Sequence, residues 1–164
     1  MRRTTHRADR TPDDLVVFHI GMRINKPWRP DTWVPTFLAM PPMIRELSKD
    51  PDSGMLGYRL LFGERGATVV LWFDSLDKLY AYANAPDREH RPAWLEFLRR
   101  SRKAPEAVGI WHETYQVARA ETFYGDTPPL GLGRAVGTTP ITRHTAAAKD
   151  RIEQRRAAGP ASPR

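Results

Sequence analysis

The sequence has no cysteine. Disulfide frameworks, thiolate metal sites and cysteine nucleophiles are excluded together, and the composition fits a reducing cytoplasm. Long apolar runs are also missing. The longest uncharged stretch, residues 33–44, carries Pro35, Pro41 and Pro42 and is far shorter than the ~20 residues a membrane span needs. Residues 1–10 contain no apolar segment of the secretory kind. Several catalytic signatures are absent too. His112-Glu113 is followed by Thr114, Tyr115 and Gln116, so no second histidine completes a zinc-protease motif. There is no P-loop and no G-x-S-x-G. Gly131-Leu132-Gly133 lacks the third glycine and the preceding strand of a dinucleotide fingerprint.

Positive charge is in excess, and its placement is informative. The chain carries 26 Lys/Arg against 19 Asp/Glu, a net charge of +7. Residues 1–13 hold four Arg against two Asp, and residues 137–164 hold six Lys/Arg against two acids. The middle, 14–136, is nearly balanced at sixteen against fifteen. A nucleic-acid reader carries its basic face on the folded domain, so no specific nucleic-acid partner is expected. The sequence therefore divides into a basic disordered tail (1–13), one domain (14–136) and a second basic disordered tail (137–164). The last could form a short charged helix near 146–158.

Within the domain, hydrophobic periodicity marks the elements. Residues 15–24 (LVVFHIGMRI) are rich in β-branched and aromatic side chains and read as a strand. Pro27 and Pro30 make a loop, and Asp31 is a suitable N-cap for a helix opening at Thr32. Pro41 and Pro42 either kink that helix or start a second one, because proline fits only a first turn. Residues 55–62 (MLGYRLLF) and 67–73 (ATVVLWF) are strands joined by the turn Gly63-Glu64-Arg65-Gly66. Ser75 precedes a helix with Leu76, Leu79, Tyr80 and Ala83 on one face. A further helix spans about 89–102, and residues 108–117 (VGIWHETYQV) form the last strand. The order β-α-β-β-α-β predicts an α+β, ferredoxin-like antiparallel sheet with helices on one face.

The other face of that sheet should be polar if it meets water. It is not. Leu15, Val17, His19, Gly21 and Arg23 alternate with the helix-facing set in the first strand. Trp111, Glu113 and Tyr115 alternate with Val108, Ile110 and His112 in the last. A second copy packed sheet to sheet would cover this surface, so a homodimer is expected, with a ligand cavity between sheet and partner.

Candidate chemistry follows from residue type. His112 beside Glu113 is the densest functional pair, although neighbours on a strand point to opposite faces. His90 and Trp94 share one helix face. His19, Arg23 and Arg59 are expected to share the cavity face and bind an anion or carbonyl. Trp72, Trp94 and Trp111 are expected as walls of the substrate site, with Tyr58 and Tyr115 as further binding candidates.

The segments VVFHIGMRINKPW, MPPMIREL, SGMLGYRLL, HRPAW and VGIWHETYQV, in this order, resemble the DUF4188 family. That family is labelled monooxygenase-like after a fungal relative of the fumagillin pathway. The resemblance covers about 14–135 and implies a dimeric α/β barrel related to antibiotic-biosynthesis monooxygenases. Within the family's distinctive segments fall His90, Trp94, Trp111, His112, Glu113 and Tyr115. The expected function is a small-molecule monooxygenase acting on a hydrophobic, electron-rich substrate. His112 would be base or hydrogen-bond partner, and Arg23 or Arg59 the anion stabiliser. The alternatives are a heme protein with His112 or His90 as axial ligand, and a non-catalytic small-ligand module.

Overall fold

A sheet with apolar residues on both faces needs two covering layers, and this chain builds them from different parts of its length. The computed structural model describes residues 5–9, 11–63, 65–86 and 88–153. A short strand β1 (Thr5–Ala8) comes first, then β2 (Val16–Ile24), α1 (Pro30–Leu38) and α2 (Met40–Lys49). The hairpin β3 (Met55–Gly63) and β4 (Gly66–Phe73) follows, with α3 (Leu76–Asn84), α4 (His90–Lys103) and β5 (Val108–Gln116) after it. The main sheet has the order β3-β4-β2-β5 and is antiparallel throughout. The ferredoxin-like α+β architecture expected from the sequence is the one observed.

The proline pair starts a helix. Pro41 stands in the first turn of α2, where its missing N–H costs nothing. Asp31 does not cap α1. That helix opens two residues earlier than expected, at Pro30, and the Asp31 carboxylate accepts two bonds from one edge of the Arg29 guanidinium, from Nε at 2.8 Å and Nη2 at 2.7 Å. A neighbouring cation thus outcompetes the backbone amides for the carboxylate. Ser75 stands at the N-cap of α3, and its hydroxyl bonds Asp74 Oδ1 at 3.0 Å.

The helix-side core gathers Val16, Val69, Leu71 and Phe73 from the sheet with Leu47 of α2 and Leu79 of α3. Each such side chain contributes about 1.5–3 kcal/mol on burial. A β-bulge between Met55 and Gly57 breaks the strict alternation of β3. Met55 packs into the helix-side core, while Leu56 turns to the other face. Beyond the bulge Tyr58, Leu60 and Phe62 oppose Leu71, Val69 and Ala67 on the helix side.

The expected disordered tails are corrected in part. Thr5–Ala8 pairs with β6 (Tyr124–Gly125) on one side and with β7 (Thr138–Pro140) on the other. This small sheet and the helix α5 (Leu132–Val136) lie across the second face of the main sheet. Ala8, Leu15 and Leu132 are buried there against Leu56, Trp72, Val117 and Val136. These strands are too short and polar to show periodicity; apolar neighbours far along the chain hold them. A charged helix α6 (Ala148–Glu153) docks through an ion pair of Arg151 with Glu121 and the Arg151 guanidinium over the Phe123 ring. Residues 1–4, 10 and 154–164 of the expected tails lie outside the described residues.

One glycine is fixed by backbone proximity. A Cβ on Gly66 would stand 1.8 Å from the Met22 carbonyl oxygen, so the hairpin end of β4 meets β2 only without a side chain.

Candidate functional site

The helix layer and the sheet are tightly packed around Phe73 and separate toward the Gly63–Gly66 hairpin. A cavity of about 480 Å³ opens there. Its floor is the sheet: Ile20, Met22, Leu60, Val69 and Ile110. Phe37 of α1 and Met43 and Ile44 of α2 form one wall. The opposite wall is one stripe of α4, with His90, Ala93, Trp94, Phe97 and Arg100 at helical spacing. Trp94 and Phe97 stack, with centroids 5.7 Å apart and planes 21° apart. The lining is overwhelmingly apolar, and its few polar groups come mainly from α4.

Two polar clusters set the ends of that wall. At the start of α4, Glu46 of α2 accepts the Tyr82 hydroxyl at 2.9 Å and the Glu89 backbone N–H at 3.1 Å. Arg88 reaches Asp50 at 2.8 Å and Glu46 at 3.7 Å. Three helices are tied together here, with the His90 ring 6.5 Å from the Tyr82 ring. Burial, reinforced by the bond to Glu46, holds the Tyr82 hydroxyl well above the usual tyrosine range. At the other end Glu96 is gripped by Arg99 through two bonds of 2.7 and 2.6 Å and by Arg100 at 2.5 Å. The Arg99 bond keeps the Glu96 carboxyl below the usual carboxylate range.

The residues expected from sequence fall on two sides of the sheet. His90 and Trp94 line the cavity. His112 is on the same side, opposite Ile20 and 5.7 Å from the Phe18 ring, two residues along β5 from the cavity-lining Ile110. Tyr58 is also on the helix side, half exposed. The second face holds His19, Arg23, Arg59, Trp72, Trp111, Glu113 and Tyr115. A cavity lies between the sheet and the helices of the same chain, on the face opposite the one where a partner-covered cavity is expected. Arg23 and Arg59 do not line it. Arg100, which does, was hidden in the basic run Arg99-Arg100-Arg102-Lys103; the stripe through His90, Trp94 and Phe97 points to it.

The second face has its own cluster. The Trp111 indole packs against Gly21, where a Cβ would come within 2.6 Å of the ring. His19 meets the Tyr115 ring edge-on at 5.6 Å, opposite Glu113. The Tyr115 hydroxyl donates to Glu113 at 2.7 Å, which raises its pKa above the ordinary value. Among the described residues, no three His, Asp or Glu side chains converge as metal ligands. No described helix is long and apolar enough to cross a membrane.

A family profile described as monooxygenase af470-like matches residues 15–132, which include the whole main sheet and its helices. The chain belongs to this family. None of the curated proteins matches this af470-like chain in sequence. Among solved structures, the aldoxime dehydratase OxdRE in complex with butyraldoxime aligns at 14% identity. The TM-score is 0.56, covering 70% of this chain and 33% of that one, a likeness of fold. SnoaB, a cofactor-independent oxygenase from Streptomyces nogalater, aligns at 10% identity, covering 63% of this chain and 93% of its own, with a TM-score of 0.45. A dimeric protein of unknown function and ferredoxin-like fold from Bacteroides fragilis aligns at 20% identity, covering 62% and 96%, with a TM-score of 0.41. For the af470-like family member described here, the fold and the monooxygenase-like kinship stand together.

Proposed function

We propose that this chain is a monooxygenase that oxidises a hydrophobic, electron-rich small molecule in the helix-side cavity. The observation that carries this reading is a single imidazole, His90, in the wall of a largely apolar cavity, in a member of a monooxygenase-like family. An apolar pocket favours an uncharged aromatic or polyketide-like body. An imidazole can take a proton from an activated C–H near neutral pH. The resulting carbanion can react with dioxygen directly. A CH₂ then becomes a carbonyl, one oxygen atom enters the product and the other leaves as water. The substrate supplies all the electrons, so no external reductant is needed. His112, on the same side of the sheet, is the second candidate for proton transfer. The segments that resemble DUF4188 all fall within residues 15–132, which supports reading the two families as one.

The second face serves a different purpose in this reading. Trp111 and Tyr115, 40% and 49% exposed, and Leu61 present apolar surface beside Arg23, Arg59 and Glu113. We assign this face to a second copy of the chain, packed sheet to sheet, with its charged groups pairing across the interface.

Oxygen uptake with anthrone, an enolisable tricyclic ketone, tests the chemistry. Wild-type protein should consume oxygen and release the quinone, and His90→Ala should lower turnover by about 10²-fold or more. Full turnover in that variant would remove His90 from the reaction. Heme is the second reading, in which His90, in the cavity wall, would hold the iron. A bound heme would supply the oxygen chemistry itself. A hemin titration giving a sharp Soret band at one per chain, lost in His90→Ala, would favour it over the cofactor-free route.

A further inference from the structure

We infer that the cavity selects an elongated amphiphile with one anionic group, and that Arg100 holds that group at the opposite end of α4 from His90. The inference rests on reading the cavity as the substrate site, and adds the chemical class of the occupant. Among the described residues lining the cavity, Arg100 is the one permanently cationic side chain. Its surroundings prepare it for a ligand. One guanidinium nitrogen lies 2.5 Å from a Glu96 carboxylate oxygen in an ion pair, which holds the planar group at this end of the wall. Glu96 is also held by Arg99, so two guanidinium groups face one carboxylate and this end of the cavity stays net positive. A guanidinium has five N–H donors in a rigid fork, so most remain for an anion after the bond to Glu96 is made. The Arg100 side chain is 28% exposed, open enough for a ligand to reach. The rest of the wall is apolar. A charge beside apolar walls attracts an anion more strongly than the same charge in water, because the effective dielectric is lower.

The helix supplies a ruler. His90 and Arg100 are ten residues apart on one stripe, about 15 Å along the axis at 1.5 Å per residue. Between them the same helix lines the cavity with Ala93, Trp94 and Phe97, and Glu96 is its one polar contribution there. An occupant that places its reacting carbon near His90 and its acidic group at Arg100 must therefore be long and apolar between the two. A fused polycyclic acid or a medium-chain carboxylate has this shape; a small neutral ketone does not use the second anchor.

Displacement of the fluorescent neutral probe N-phenyl-1-naphthylamine by dodecanoate and by dodecan-1-ol tests the inference. The two competitors share a chain and differ in charge. In the wild-type protein dodecanoate should displace the probe at a concentration at least about tenfold lower than dodecanol, the scale of a charge-assisted hydrogen bond. Arg100→Gln should bring the two within about twofold while leaving displacement by dodecanol unchanged. Glu96→Gln, which releases the guanidinium, should tighten dodecanoate by about threefold or more and leave dodecanol alone. Equal potency of the two competitors in wild-type protein would overturn the inference, as would a preference for dodecanoate that survives Arg100→Gln. The Glu96→Gln arm decides the matter even if Arg100→Gln folds poorly: no tightening there counts against Arg100 as the anchor. Failure of the neutral probe to bind at all would strike the cavity reading itself, and this inference with it, whereas probe binding without charge preference would overturn the inference alone.

Discussion

The two faces of the main sheet are both closed at one end and open at the other, but they open differently. Around Phe73 and Val16 the helix side is packed solid, and around Leu15 and Trp72 the other side is sealed by α5 and the small sheet. Toward the Gly63–Gly66 hairpin the helix layer parts from the strands and leaves a cavity. On the opposite face no layer of the described residues remains, and the Trp111 ring packs against Gly21 as the nearest cover. A concave apolar space suits a small molecule, while a broad surface with aromatic and charged groups suits another protein surface. One sheet thus offers two kinds of binding at the same end of its strands.

The largest contrast can be broken by truncating each end of the helix-side face. Phe73 is fully buried, and Phe73→Ala should cost about 3–5 kcal/mol in denaturant unfolding. Leu60→Ala, at the open end and 42% exposed, should cost under about 1 kcal/mol. Equal losses would mean that the cavity end is as tightly packed as the core. Separation of the faces is sharpened by Leu61→Asp. Sedimentation equilibrium should show self-association weakened by at least about tenfold, because a charge would be buried in the sheet interface. Binding of N-phenyl-1-naphthylamine on the helix side should stay the same; a parallel loss of both would show that the faces are not independent.

A smaller effect is expected from Gly21→Ala. The added methyl would collide with the Trp111 ring, but that ring is part-exposed and can swing away. Stability should change by less than about 1 kcal/mol, while tryptophan emission shifts to longer wavelength and self-association weakens. Unchanged emission would place the indole elsewhere. The smallest effect concerns the polar tie between α2, α3 and α4 on the helix side. Tyr82 keeps its proton in the folded state beyond the pH at which an unfolded tyrosine releases it. Its contribution is therefore complete below about pH 10 and lost as the pH rises further. Tyr82→Phe should flatten the alkaline fall in stability followed by thermal melts between about pH 9 and 11. A slope identical to wild type would assign the alkaline loss to other groups.

The sheet was legible because its alternation is strong: Val16, Phe18, Ile20 and Met22 could face only a core. The bulge at Leu56 was not, since nothing in MLGYRLLF marks the residue that steps out of register. The strands Thr5–Ala8 and Thr138–Pro140 carry too few residues for any period, and their partners are more than a hundred residues away in sequence. At the site, His90 and Trp94 were readable as neighbours on one helix face. The side of the sheet that holds the cavity was not readable, because it depends on where the helix layer separates from the strands. Reading a cavity onto the second face drew in Arg23 and Arg59, whereas the helix-side cavity takes its cation from Arg100.

The small sheet has a practical consequence for handling the protein. Both β1 and the segment from β7 to α6 sit on the second face, away from the cavity across the thickness of the strands. A fluorophore or affinity handle joined near either segment would crowd the proposed meeting place of two copies while leaving the cavity accessible. Handle position therefore becomes a lever: attached there, a bulky carrier should yield lone chains with an intact pocket, and assembly can be studied apart from chemistry without altering a single residue of the domain.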